Sequence, residues 1–223
     1  MTIQKFLGVE NAKNTTGLTV IIDILRASTT AAFLLDKGVK EIVPVSTKEE
    51  AFAFKKAQPS CLLVGEERGV KIKGFDFGNS PYEISQAEDL TGKTAVHRSS
   101  RGTQALVRAR HATQIIFGSF VCATAILTYL KSLPDQQLSI LSTMEIPGTE
   151  DEIFADYLIA KLTGKKAVDI KEVVEYMKSH PEGAKFLDPR ITQFPPEDFY
   201  LALSLDRFDF VPLVRDGKVI KYV

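Results

Sequence analysis

Apolar positions along the chain fall into short runs at regular intervals, each followed by small polar residues and then a helical period. The run at 18–24, LTVIIDI, is nearly continuous and rich in β-branched residues, as expected of a strand covered on both faces. Residues 27–37 read as a helix, with Gly38 at the position that commonly ends one. Residues 40–45 form a second strand. Thr47 with Glu50 three residues on is a capping box that opens a helix to about Ala57, and 61–65 is a third strand. The alternation resumes with strand 94–97, helix 103–110, strand 114–118, helix 121–131, strand 138–143 and a helix at 150–162 stopped by Gly164. Helices at 169–179 and 195–205 follow, the second opening on a proline suited to a first turn. Strands at 210–214 and 218–222 flank Asp216-Gly217, a strong two-residue hairpin signal.

This order predicts an α/β fold: a mostly parallel sheet between helical layers (three-layer α/β/α) with a C-terminal β-hairpin, built as one domain over 1–223. Between 66 and 81 the periodicity stops. The segment EERGVKIKGFDFGNSP is polar and holds Gly69, Gly74 and Gly78, yet Val70, Ile72, Phe75 and Phe77 argue for order, so it reads as an active-site loop.

Charge narrows the partners. Lys plus Arg and Asp plus Glu each number 28, and this balance argues against a nucleic-acid binder and for a small ligand. No apolar run reaches the roughly 18 residues of a membrane span, and the N-terminus has no signal-peptide core, so a cytoplasmic protein is expected. Cys61 and Cys122 have no zinc or disulfide spacing and sit in or after apolar stretches, as buried thiols do. A two-fold homodimer, the commonest assembly, suits a chain of this size, though no segment demands it.

In parallel sheets ligands bind beyond the carboxyl ends of the strands. Those ends carry Asp23 and Arg26 with Ser28, Thr29 and Thr30. They also carry Glu66, Glu67 and Arg68, then Asp76, Asn79 and Ser80, then Ser99, Ser100, Arg101, Gly102 and Thr103. Glu145, Glu150 and Asp151 follow the last parallel strand. Hydroxyls, glycines and arginine forks suit oxyanions such as phosphate, sulfonate or carboxylate. The carboxylates would repel such an anion unless a cation lay between them, and Mg²⁺ commonly takes one or two carboxylates plus phosphate oxygens. Each group also has a plainer use. Ser28, Thr29 and Thr30 serve as caps, Arg26 pairs with Asp23 or Glu66, Asp76 and Asn79 shape turns, and Glu150-Asp151 complement a helix dipole.

Other phosphatase signatures fail. Asp23 is followed at the second position by Leu25, where an Asp-x-Asp nucleophile needs a second aspartate. The spacing from Cys61 to Arg68 is not Cys-x5-Arg. Arg110-His111 falls at a helix end, and His97, before Arg98 at a strand end, could reach the site but reads first as a packed histidine.

The segments VIIDILRASTT (20–30), LVGEERG (63–69), GFDFGNSP (74–81), GTQAL (102–106) and GSFVCATA (118–125) together resemble the ComB family of 2-phosphosulfolactate phosphatases, as does ALSLDRFDFVP (202–212). The resemblance implies Mg²⁺-dependent hydrolysis of 2-phospho-3-sulfolactate to 3-sulfolactate and phosphate, a step of coenzyme M biosynthesis. Two departures stand out. Arg101 replaces an asparagine of the family's T-T-N-G-T segment, and Cys122 replaces the usual asparagine of G-S-x-x-N-A.

On this basis Asp23, Arg26 and Asp76 are the expected catalytic residues. Asp23 with Glu66, Glu67 or Asp76 is expected to hold Mg²⁺. Ser28, Thr29, Arg68, Asn79, Ser80, Ser99, Ser100, Arg101, Gly102 and Thr103 are expected to bind substrate. The attacking group is either a water or Asp23 itself. The alternatives are a phosphatase of another small phosphorylated carboxylate and a non-catalytic anion-binding module on the same fold.

Overall fold

The computed structural model describes residues 2–223. The elements in chain order are β1 (Thr2–Leu7), β2 (Gly17–Ile22), α1 (Ala27–Asp36), β3 (Glu41–Pro44), α2 (Lys48–Ala57), β4 (Leu62–Glu67), β5 (Val70–Lys71) and α3 (Pro81–Ser85). Then come β6 (Thr94–Arg98), α4 (Gly102–Arg108), β7 (Ala112–Gly118), α5 (Ala123–Ser132), β8 (Gln137–Ser142) and α6 (Glu150–Leu162). The chain ends with α7 (Ile170–Ser179), α8 (Pro181–Ala184), α9 (Pro196–Ala202), β9 (Val211–Arg215) and β10 (Lys218–Tyr222). The predicted α/β class holds: a mixed, mostly parallel sheet flanked by helices.

Among the described residues, ten strands run in the order β1-β8-β2-β7-β9-β10-β3-β6-β4-β5. Two parallel sets, β1-β8-β2-β7 and β3-β6-β4, are joined through the C-terminal hairpin, which pairs antiparallel with β7 on one side and β3 on the other. The hairpin read from Asp216-Gly217 is therefore a central element rather than an appendage. Val211, Leu213 and Val219 are accordingly buried.

Continuous apolar runs mark strands covered on both faces. On β4, Leu62 and Val64 enter the main core while Leu63 enters a smaller one with Val45, Ala51, Phe75 and Val96. Helix α4 supplies Ala105 and Leu106 to the main core, and α2 supplies Ala51 and Phe54 to the other side. Thr47 caps α2 through the Glu50 capping box, as the sequence predicts.

The two parallel sets run in opposite directions, which in a flat sheet would put their carboxyl ends on opposite edges. Five strand-to-strand steps separate β2 from β6, and ordinary twist accumulates roughly 100° over them. Helix α4, which leaves β6, consequently packs against β2 as well as β3 and β6. The carboxyl ends of β2, β4 and β6 meet there.

The segment 66–81 is more regular than a loop. β4 extends through Glu67 and turns at Arg68-Gly69 into β5, with Glu66 opposite Lys71 and Glu67 opposite Val70. The edge strand β1 has no continuous apolar run in the sequence; it is half exposed and, among the described residues, pairs with β8 alone. Cys61 and Cys122 are both free and buried. Among the described residues, no helix is long and apolar enough to cross a membrane.

Candidate active site

Asp23 is the first residue beyond β2. Its Oδ1 accepts the Ala27 N–H at 3.1 Å, and its carbonyl accepts both the N–H and the hydroxyl of Ser28 at 2.8 and 2.7 Å. The carboxylate is thus clamped to the first turn of α1. Its Oδ2 faces Gly102, where a β-carbon would lie only 2.7 Å away and 2.7 Å from the Ala27 β-carbon. The bare glycine is what lets the ends of β2 and β6 approach.

Glu66, near the end of β4, accepts the Gly69 N–H at 2.6 Å, the Ser100 N–H at 2.5 Å and the Ser100 hydroxyl at 3.0 Å. Arg68 and Gly69 both have positive φ, at 54° and 84°, which makes the turn tight enough for the first of these bonds. Burial pushes the Asp23 pKa up; the Ala27 amide and the Arg101 charge oppose the rise, and Glu66 adds to it. Asp23 and Glu66 therefore share one electrostatic environment.

Arg26, 4% exposed, is held at three acceptors: the Asp198 carboxylate at 2.8 Å, the Gln193 carbonyl at 3.1 Å and the Gly69 carbonyl at 3.1 Å. The Phe194 ring lies 4.9 Å from its guanidinium carbon. The ion pair anticipated with Asp23 or Glu66 is made instead with Asp198. A guanidinium has five N–H donors, so these three bonds leave donors free.

These groups line a pocket of about 420 Å³ with Arg68, Asn79, Arg101, Lys185 and Phe194. Four cationic side chains thus face two carboxylates. Arg68 and Arg101 are exposed at the rim, where their charges stay mobile and screened by salt.

Several expected site residues stand elsewhere. Asp76 accepts the Leu63 N–H at 2.7 Å, lies 3.5 Å from Lys55 Nζ, and does not line the pocket. Glu67 points outward to Arg98 and Lys48. The Ser28 and Thr29 hydroxyls are buried and turned to backbone carbonyls, Thr29 also meeting Ser119 at 2.8 Å. Ser80 donates to Asp198 at 2.7 Å and caps α3. Ser99 and Thr103 bond one another across the start of α4. These hydroxyls shape the walls without facing the ligand space. Asp23, Arg26, Glu66, Arg68, Asn79, Ser100 and Arg101 are brought together, with Gly102 against Asp23.

Lys185 and Phe194 were not anticipated, nor was Asp198, which is fully buried and also accepts the Tyr82 N–H at 2.8 Å. They come from the helical segment before the last hairpin, which follows no strand. Glu150 and Asp151 are buried behind Asp23. Asp151 accepts the Ile24 N–H at 2.7 Å and the Thr143 hydroxyl at 3.0 Å, whereas Glu150 Oε2 has no partner among the described residues. Burial lifts Glu150 to about 7.

The carboxylates that line the pocket, Asp23 and Glu66, are the groups there that could hold a cation. Among the described residues, no group of three or more His, Cys, Asp or Glu could enclose a metal ion alone. A hard cation held by two carboxylates would complete its shell with water and ligand oxygens.

The family model for 2-phosphosulpholactate phosphatase matches residues 7–217. A probable 2-phosphosulfolactate phosphatase of Bacillus subtilis is 31% identical over 98% of this chain and 96% of its own length. Proteins with the same description from Thermoplasma acidophilum (32%, over 92% of this chain and 89% of the relative) and Carboxydothermus hydrogenoformans (40%, over 69% and 63%) are also similar. With a family match that covers every pocket residue, the chain belongs to the 2-phosphosulfolactate phosphatase family, whose members are phosphoric monoester hydrolases.

Proposed function

We propose that this protein is a cytoplasmic, Mg²⁺-dependent phosphatase that hydrolyses 2-phospho-3-sulfolactate to 3-sulfolactate and inorganic phosphate. The observation that carries the reading is the pocket itself, lined by Asp23 and Glu66 together with Arg26, Arg68, Arg101 and Lys185. A phosphate monoester carries close to two negative charges at neutral pH, and sulfonate and carboxylate each add another. Four cationic groups suit such a polyanion, and two carboxylates suit the cation that would let it approach them.

Asp23 and Glu66 would hold Mg²⁺, which when bound supplies charge neutralisation at the phosphoryl oxygens. Glu67 turns instead to Arg98 and Lys48, and Asp76 to Lys55. Arg26 is fixed by Asp198, Gln193 and Gly69, so its remaining donors meet the phosphoryl group without reorganisation. Rim residues Arg68 and Arg101 and the neighbouring Lys185 take up the distal anions. Asp23 Oδ1 is engaged by Ala27; its Oδ2, reaching the cation only through water, orients the attacking water and accepts its proton. The water oxygen bonds to phosphorus as the ester P–O bond breaks. The departing alkoxide takes a proton from solvent water, and the hydroxide so formed takes the proton held at Asp23, so that the carboxylate is restored.

A phosphate-release assay tests this reading. Turnover of 2-phospho-3-sulfolactate is expected with Mg²⁺ and is expected to disappear in chelator. Full turnover in chelator would overturn the metal's role. Accumulation of an acid-stable, base-labile phospho-enzyme would replace the water with Asp23 as nucleophile.

A further inference from the structure

His97 is buried in β6 at 1% exposure, one residue short of that strand's end. Its place before Arg98 at a strand end reads as a packed histidine, with reach to the site as the alternative. Its Nε2 lies 3.0 Å from Asn79 Oδ1, and Asn79 lines the pocket beside Arg26. Its Nδ1 is buried and has no partner among the described residues.

Those facts decide the tautomer. A proton on Nδ1 would be a buried donor with nothing to receive it, and orphaned buried N–H groups are rare. A proton on Nε2 leaves only an unused acceptor at Nδ1 and completes a bond to Asn79 Oδ1. The ring is also neutral, because burial pushes its pKa down to about 4. A neutral Nε2–H ring can only donate to Asn79, so it selects one of the two orientations of the carboxamide. With Oδ1 turned into the wall, the Nδ2 amino group is the polar end left to the pocket, and no described residue accepts from it.

We infer that His97 is a positioning residue: its Nε2–H locks the Asn79 carboxamide so that the Nδ2 amino group donates to the bound anion. The alternative orientation would present a carbonyl oxygen to a polyanion, which repels it. The inference rests on the anion-pocket reading and adds to it a donor and the residue that aims that donor.

Two measurements test it. The first does not depend on turnover: long-range ¹H–¹⁵N correlation spectra of the wild-type protein, with His111→Gln and His180→Gln to assign the ring. The expected result is a neutral His97 protonated at Nε2 across neutral pH; an Nδ1–H tautomer or an imidazolium overturns the inference. The second is a double-mutant cycle. His97→Leu is expected to raise KM for 2-phospho-3-sulfolactate, or Kd for inorganic phosphate, about tenfold, with a smaller change in kcat. In the Asn79→Leu background the same change is expected to have no further effect. An equal loss in both backgrounds would overturn the inference, since His97 would then act on packing alone. If the wild-type protein released no phosphate from the ester, the phosphatase reading would fail, while the tautomer and the phosphate affinities would still decide the role of His97.

Discussion

At position 102 a single methyl group would be enough to disturb the site. A β-carbon there would sit 2.7 Å from Asp23 Oδ2 and 2.9 Å from the Phe117 ring, closer than packed atoms allow. Gly102→Ala is therefore expected to cost about 1–3 kcal/mol of stability by overpacking and to lower phosphate release by about 100-fold, the scale of a 1 Å displacement in a catalytic group. Thermal melts and steady-state kinetics check both; unchanged kinetics would mean that Asp23 Oδ2 takes no part. Asp23, Glu66, Arg68, Ser100 and Arg101 were legible at this scale because each stands within three residues of the end of a strand whose apolar run is easily read. Asp76 was not separable from them by its neighbours. Its place is set by pairing, since Phe77 bridges Val64 and so lays the Asp76 carboxylate on the Leu63 amide. Lys185 and Phe194 belong to a segment with no strand, where the strand-end rule says nothing.

Helix α9 is tied to the pocket through one buried carboxylate. Asp198, with no exposure, receives Arg26, the Ser80 hydroxyl and the Tyr82 amide, and so joins α9 to the starts of α1 and α3. Removing the countercharge of a buried pair costs about 3–5 kcal/mol. Asp198→Asn is expected to fall in that range by denaturant unfolding and to weaken substrate binding through Arg26; a loss below about 1 kcal/mol would show that the pair is not desolvated. The elements themselves were mostly legible, down to the Thr47 capping box and the Asp216-Gly217 turn. Their arrangement was less so. Hairpin chemistry fixes the local turn but not the neighbours of its strands, so the insertion of β9 and β10 between two opposed parallel sets could not be read. The edge strand β1 lacked a continuous apolar run because one side of it meets water.

Across the whole molecule, two buried titratable groups pull stability in opposite directions. His97 falls from 6.5 to about 4 because burial disfavours its charge. The unfolded chain protonates it first, so stability is lost as pH falls through that window. Glu150 rises from 4.5 to about 7, again through burial. The unfolded chain ionises it first, so stability is lost as pH rises through its window. Glu150→Gln removes the second effect, so in chelator its melting temperature relative to wild type is expected to be higher at about pH 8 than at about pH 5; an equal difference at both would contradict the burial of that carboxylate. The most direct test of the central claim, that Asp23 works in the pocket while Asp76 only braces a strand, is phosphate release from 2-phospho-3-sulfolactate with Mg²⁺ by the wild-type, Asp23→Asn and Asp76→Asn proteins. Turnover by wild type and Asp76→Asn, with a loss of about 100-fold or more in Asp23→Asn, is the expected result. Undiminished turnover by Asp23→Asn, or none by the folded wild-type protein, would contradict it.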